Sequence, residues 1–296
     1  MELLQLLIGG IANGCIYGLI ALGFVLIYKA TELLNFAQGD LMVLGAYVVL
    51  SLVNTEGVGL PFWLGLLGAV VFMGCFSFGV DRIVIRPLFG QPAYAVIILT
   101  IALGFVIRFL IGAIWGHDPV SIEHPYAGST ITLPLSEGRA LVMGTDDLLV
   151  IAMTTLLTLL LYLFFARTQL GLAMQACSQN QLAAYYMGVP VKRIYSLVWA
   201  LAGALATIAG ALFAMKGTLD PNSGLLGIKA FAAAVIGGFG SLPGALLGGM
   251  IVGISEPFAA RYLAAGYSQI TPYVIMLAVL VVAPNGLFAQ IQMKKV

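Results

Sequence analysis

The chain has 296 residues, 61% of them hydrophobic and 8% charged, with a mean hydropathy of +1.06. Soluble domains carry roughly 25% charged residues, so this composition excludes a water-soluble fold. A net charge of +1 gives no basic surface for nucleic acid.

A helix needs about 20 largely apolar residues to cross the hydrocarbon layer, because unpaired backbone groups cannot be left in lipid. Runs that meet or approach this length lie at 6–28, 41–54, 60–80, 94–115, 147–166, 194–215, 228–239, 243–257 and 269–284, with 41–54 and 228–239 short. They predict an all-α polytopic membrane protein of about eight to ten transmembrane helices, in a single domain over 1–296. Met1-Glu2-Leu3-Leu4 lacks the basic start of a cleavable signal, so the first run is read as the first span.

In the first run Gly10, Gly14 and Gly18 recur every four residues on one face, a close-packing signature. Asn13 and Tyr17 share a neighbouring face, where they either bond a solute on a translocation path or bond another helix. Asn35-Phe36-Ala37-Gln38-Gly39-Asp40 then separates two apolar runs with groups suited to capping. Gln38 is a path candidate, and Asp40 reads as a cap or as a path residue. Arg108 lies well inside its run, where a lone charge is costly, so it must pair or snorkel; it is the best single candidate for a functional intramembrane charge.

Gly116 to Asp146 has the composition of an ordered extracytoplasmic loop, with an alternating Thr130-Ile131-Thr132-Leu133 that suits a strand. It holds both histidines, His117 and His124, read as solvated loop residues rather than metal ligands. Arg167 to Arg193 is the longest polar interval. An amphipathic run from Gln179 to Met187 breaks at Gly188-Val189-Pro190, which predicts a short helix along the membrane, a turn, then the next span. It is either a passive connector or a coupling element for a cytoplasmic motor. Gly237-Gly238-Phe239-Gly240-Ser241-Leu242-Pro243-Gly244 is either a tight turn or, through Gly238 and Ser241, part of the path. Cys15, Cys75 and Cys177 show no metal or disulfide spacing and read as packing residues.

If Lys294 and Lys295 are cytoplasmic and nine spans alternate, the N-terminus is outside and Lys29, Arg82, Arg86, Arg167, Lys192 and Arg193 face the cytoplasm. Lys216, Lys229, Arg139 and Arg261 then lie outside, with most acids, among them Glu56, Glu137, Asp147 and Glu256. No G-x-x-x-x-G-K-[ST] motif occurs, no histidine lies in a span and no carboxylate pair shares a helix face, so neither ATP binding nor hydrolysis within the membrane has a visible residue set.

Gly9 to Gly23 with Asn35 to Asp40, the inner loop, Ala234 to Ala245 and the closing Ala283-Pro284-Asn285-Gly286-Leu287-Phe288 together resemble the LivH-type permease of branched-chain amino acid ABC transporters, over nearly the whole chain. The resemblance implies a fold like the type II importer permeases, no catalysis and no cofactor bound by this chain, and ATP-Mg held by a partner ATPase. It further implies a homologous second permease, two ATP-binding cassette subunits and a periplasmic solute-binding protein, in a bacterial cytoplasmic membrane. The implied coupling role falls on Ala183, Ala184, Gly188, Val189 and Pro190. Relatives usually carry more charge in that loop, where Gln175, Gln179, Asn180 and Gln181 stand here. The implied solutes are leucine, isoleucine and valine, other neutral amino acids, or urea and short amides; a stand-alone secondary carrier is the competing reading.

Overall fold

The computed structural model describes residues 2–55, 57–88, 91–135, 139–264 and 266–288. Its helices are α1 Glu2–Thr31, α2 Gln38–Val53, α3 Phe62–Val80, α4 Ala93–Trp115, α5 Thr145–Arg167, α6 Gln169–Gln179, α7 Gln181–Tyr186, α8 Val191–Lys216, α9 Leu226–Gly237, α10 Leu242–Tyr262 and α11 Tyr267–Val282. A hairpin of β1 Thr130–Leu135 and β2 Arg139–Gly144 pairs Thr130 with Gly144 and Leu133 with Leu141, in the loop where one strand was expected.

Six helices among the described residues are long and apolar enough to cross a membrane by themselves, and the runs 41–54, 228–239 and 269–284 form shorter apolar helices. The expected run 228–239 is α9, 12 residues or about 18 Å long, and 41–54 is α2, 16 residues or about 24 Å. Neither covers a 30 Å hydrocarbon layer. Both runs already fall short of a span in the sequence, and the helices that form on them reach no more than 16 residues. The third shortfall is 269–284, which is the 16-residue α11.

Helix α1 is the hub. Its span is 89% buried, against 11% for α5 and 28% for α4, so α4 and α5 turn most of their apolar surface outward. On one side α1 meets α10 backbone to backbone: a Cβ on Gly14 would lie 2.7 Å from the Met250 Cα. Gly10 and Gly18 make the same approach one turn away in each direction, facing Ile254 and Leu246, so the four-residue repeat is a packing seam. Cys15 and Cys177 are buried as packing residues, whereas Cys75 lies on the exposed face of α3.

Beyond α3 the helix widens into a π-helical turn, Asp81–Ile85, and a 3-10 turn, Arg86–Leu88. The polar interval folds as two helices rather than one. Thr168 accepts from the Gly171 N–H at 3.0 Å to start α6, and Asn180 accepts from the Ala183 N–H at 2.9 Å to start α7. Lys294, Lys295, Glu56 and Glu137, on which part of the orientation argument rested, lie outside the described residues.

Candidate functional site

The chain breaks in the membrane at two places, and the two breaks touch. After Thr31 the backbone doubles back beside α1, and Gln38 begins α2 against Gly23, about 12 Å before the end of α1. Non-helical backbone at that depth must be satisfied by protein. The Thr31 hydroxyl accepts from Leu33 N–H at 3.3 Å, Thr100 from Phe36 N–H at 3.2 Å and the Asn35 amide from Ala37 N–H at 3.1 Å. Gln38 is fully buried in this scaffold, accepting from the Asn35 side chain and donating to the Ala202 carbonyl, each at 3.2 Å.

The second break follows α8. Asp220 and Ser223 cap each other's backbone and start the 3-10 turn Pro221–Leu225, which leads into α9. Gly39 and Gly227 let the starts of α2 and α9 meet: a Cβ on Gly39 would come within 2.9 Å of the Gly227 Cα.

Asp40 stands at that junction. It caps nothing; Arg108 donates to its Oδ1 from Nε at 3.1 Å and Nη2 at 2.9 Å. Asn35 turns the chain into α2 instead, its side chain accepting from the Ala37 N–H and its carbonyl from the Gln38 N–H. Arg108 thus resolves its charge by pairing across α2 and α4, with its guanidinium over the Phe105 ring.

Asn13 and Tyr17 both bond other helices. Lys216 donates to the Asn13 Oδ1 at 2.7 Å and pairs with Asp147 at 2.7 Å, tying α1, α5 and α8. The Tyr17 hydroxyl donates to Glu256 Oε2 at 2.6 Å, while Lys229 donates to Glu256 Oε1. Lys229 and Glu256 were expected at the outer surface. They form a third ion pair, between α9 and α10.

Gly238 and Ser241 close the α9–α10 turn. Gly238 is buried at φ 93° against Gly286, and the Ser241 hydroxyl accepts from the Gly244 N–H at 3.1 Å to start α10. His124 is not solvated: its side chain is 5% exposed, against the Phe62 ring and 3.8 Å from Asp146.

At the far end of α8, α7 leads into a turn in which Gly188 takes φ 84° and Val189 N–H bonds the Ala184 carbonyl at 3.0 Å. Ala184 is buried, and Ala183 and Pro190 are exposed. Tyr186 and Met187, 82% and 84% exposed, form an apolar knuckle with Leu182 and Tyr185. Behind it, Asp81 is fully buried; Ser196 donates to its Oδ2 at 2.6 Å, and Arg86 pairs with it at 3.3 Å and donates to the Lys192 carbonyl at 2.9 Å. Nothing in the spacing of Asp81, Arg86 and Ser196 announced this lock, since Ser196 arrives from another helix.

A family profile described as branched-chain amino acid transport system / permease component matches residues 6–283. The chain is 28% identical to the high-affinity branched-chain amino acid transport system permease protein LivH of Salmonella typhimurium, over 99% of this chain and 97% of that one. It is 32% identical to a probable branched-chain amino acid transport permease protein LivH of Methanocaldococcus jannaschii, over 96% and 91%. In fold it is similar to PsaBC from Streptococcus pneumoniae, solved in complex with Fab, at a TM-score of 0.51 and 18% identity over 96% of this chain and 93% of that one. Helices long and apolar enough to span a membrane and a match along almost the whole length agree, and the chain belongs to the family of permease components of branched-chain amino acid transport systems.

Proposed function

We infer that this chain is one half of the pore of an ATP-driven importer for branched-chain and other neutral amino acids in the cytoplasmic membrane. The second half is a homologous permease. Two ATPase subunits bind ATP-Mg, one of them docking on the knuckle at Leu182, Tyr185, Tyr186 and Met187 and the other on the second permease, and a solute-binding protein delivers the amino acid to the opposite face. The N-terminus then lies outside and the C-terminus in the cytoplasm.

The observation that carries this reading is the knuckle itself. Four large apolar side chains stand 66–84% exposed on a short helix beyond the ends of the spanning helices. Exposed aromatic clusters of this kind are docking surfaces. Their support is rigid, because Ala184, Val189 and Pro190 fasten α7 to the start of α8, and Arg86 fastens that start to α3 through Asp81 and the Lys192 carbonyl. A displacement of α7 by the closing motor is thereby passed to two spanning helices, the basis of alternating access.

The test is uptake of labelled leucine by proteoliposomes containing both permeases, both ATPases and the binding protein. Import that requires ATP and every component supports the assignment. Uptake by this chain alone, driven by an ion gradient, overturns it in favour of a secondary carrier. Preferential uptake of urea or acetamide moves the assignment to amides.

A further inference from the structure

The two membrane breaks enclose a cavity of about 280 Å³. Its walls include Asp40, Arg108 and four phenylalanines, Phe24, Phe36, Phe105 and Phe231. The size suits one small solute, below the 300–1,000 Å³ of pockets that hold drug-sized ligands. The charges sit at one wall: Asp40's side chain is 9% exposed and Arg108's 21%. Phe231 packs on Phe24 at 5.7 Å and on Phe36 at 5.3 Å, making the opposite wall apolar.

Three features distinguish this pair from a strut that merely pins α2 to α4. Both bonds from Arg108 end on Oδ1 of Asp40, leaving Oδ2 outside the fork. Oδ2 lies beside Gly104, where a Cβ would come within 2.5 Å of it, so a side chain is missing where one would crowd the carboxylate. The mouth, at Ile101, Phe105, Leu225 and Ile228, is 41–62% exposed, and a partly open ion pair about 10 Å below the end of α4 cannot face hydrocarbon without a large penalty. Water or a protein neighbour must cover that face, as it would on the inner wall of a paired permease. The starts of α2 and α9 also direct their positive dipole ends toward this junction, which favours an anionic group there.

We propose that this cavity is a solute-contact site on the translocation path and takes a zwitterionic amino acid with an apolar side chain. Arg108 receives the carboxylate, Asp40 receives the ammonium, and the phenylalanine wall takes the side chain. In the empty site the two residues neutralise each other, and a passing zwitterion exchanges their mutual bonds for its own. The site rests on the importer assignment only for its place in a path; its ligand chemistry is read from its own walls.

The test places a cysteine at the mouth, Leu225→Cys, in a Cys75→Ala background, since Cys15 and Cys177 are buried. Membrane vesicles holding the assembled transporter are treated with a small charged methanethiosulfonate, with and without millimolar leucine, leucinamide, which lacks the carboxylate, or isovalerate, which lacks the ammonium. The expected result is labelling that leucine slows and the other two slow far less. Arg108→Gln should weaken that protection about tenfold, the effect of losing one charge-assisted hydrogen bond. Phe105→Ala keeps the ion pair and should weaken protection by leucine without changing protection by glycine, which guards against an Arg108→Gln protein that does not fold. A cysteine that only membrane-soluble maleimides reach would overturn the site, as would equal protection by all three compounds. Leucine uptake by the same vesicles reads the importer assignment separately: uptake without protection sinks the site alone, and protection without uptake sinks the importer reading alone.

Discussion

At the scale of single residues, glycines and paired charges carry the stability of this bundle. Gly14 faces the Gly249–Met250 backbone so closely that an added Cβ would stand 2.9 Å from the Gly249 carbonyl oxygen. Gly14→Ala should therefore destabilise the protein by about 1–3 kcal/mol through overpacking, read as a lower midpoint of thermal unfolding in detergent. Gly9, with open space where its Cβ would go, is the control, and Gly9→Ala should be neutral or slightly stabilising. The buried lock behind the α7 turn yields a sharper contrast. Asp81→Ala removes the counter-ion of Arg86, which is 27% exposed and keeps the Lys192 carbonyl and the Ser196 hydroxyl, and should cost about 2–3 kcal/mol, whereas Ser196→Ala keeps the ion pair and should cost about 1 kcal/mol in the same assay. Equal losses from the two would mean that the ion pair contributes nothing beyond one hydrogen bond.

At the scale of elements, the turn after α7 is where the proposed coupling and the local conformation can be tested together. Gly188 sits at φ 84°, a region that costs a residue with a side chain about 1–2 kcal/mol, and more for one branched at Cβ. Gly188→Val should leave the protein in the membrane and the ATPase active, but uncouple hydrolysis from import; the measurement is ATP consumed per leucine transported. Unchanged stoichiometry would remove the coupling role from this turn. Tyr186→Ala removes an 82% exposed side chain that packs only edge-on against the neighbouring Tyr185 ring, so folding should be little affected. Association with the ATPase should weaken by about 2 kcal/mol, the loss expected of an aromatic anchor, checked by titrating ATPase onto detergent-solubilised permease.

At the scale of the whole molecule, the asymmetric burial describes a subunit built to be covered. The α1 span is almost wholly enclosed, while α4 and α5 are mostly bare, and the cavity at the helix breaks opens onto the surface beside α4. An ion pair and an apolar cavity at such a surface fit the proposed pairing with a second permease. Co-expression with that partner should therefore raise the thermal midpoint of this chain, because binding to the folded state alone stabilises it.

Composition and the length of the apolar runs determined that this chain is an all-α membrane protein. The order of its motifs determined the family, and the Gly-Val-Pro break announced the turn after α7. Those signals are local: hydrophobic length, a backbone that needs glycine, a ring that cannot continue a helix. Only the tertiary structure decided that α2 and α9 begin inside the membrane, that Asp40 pairs with Arg108 rather than capping a helix, and that Lys229 meets Glu256 between spans. Each of these depends on which helices lie side by side, and an ion pair between residues 68 or 27 positions apart leaves no periodicity in the chain to announce it.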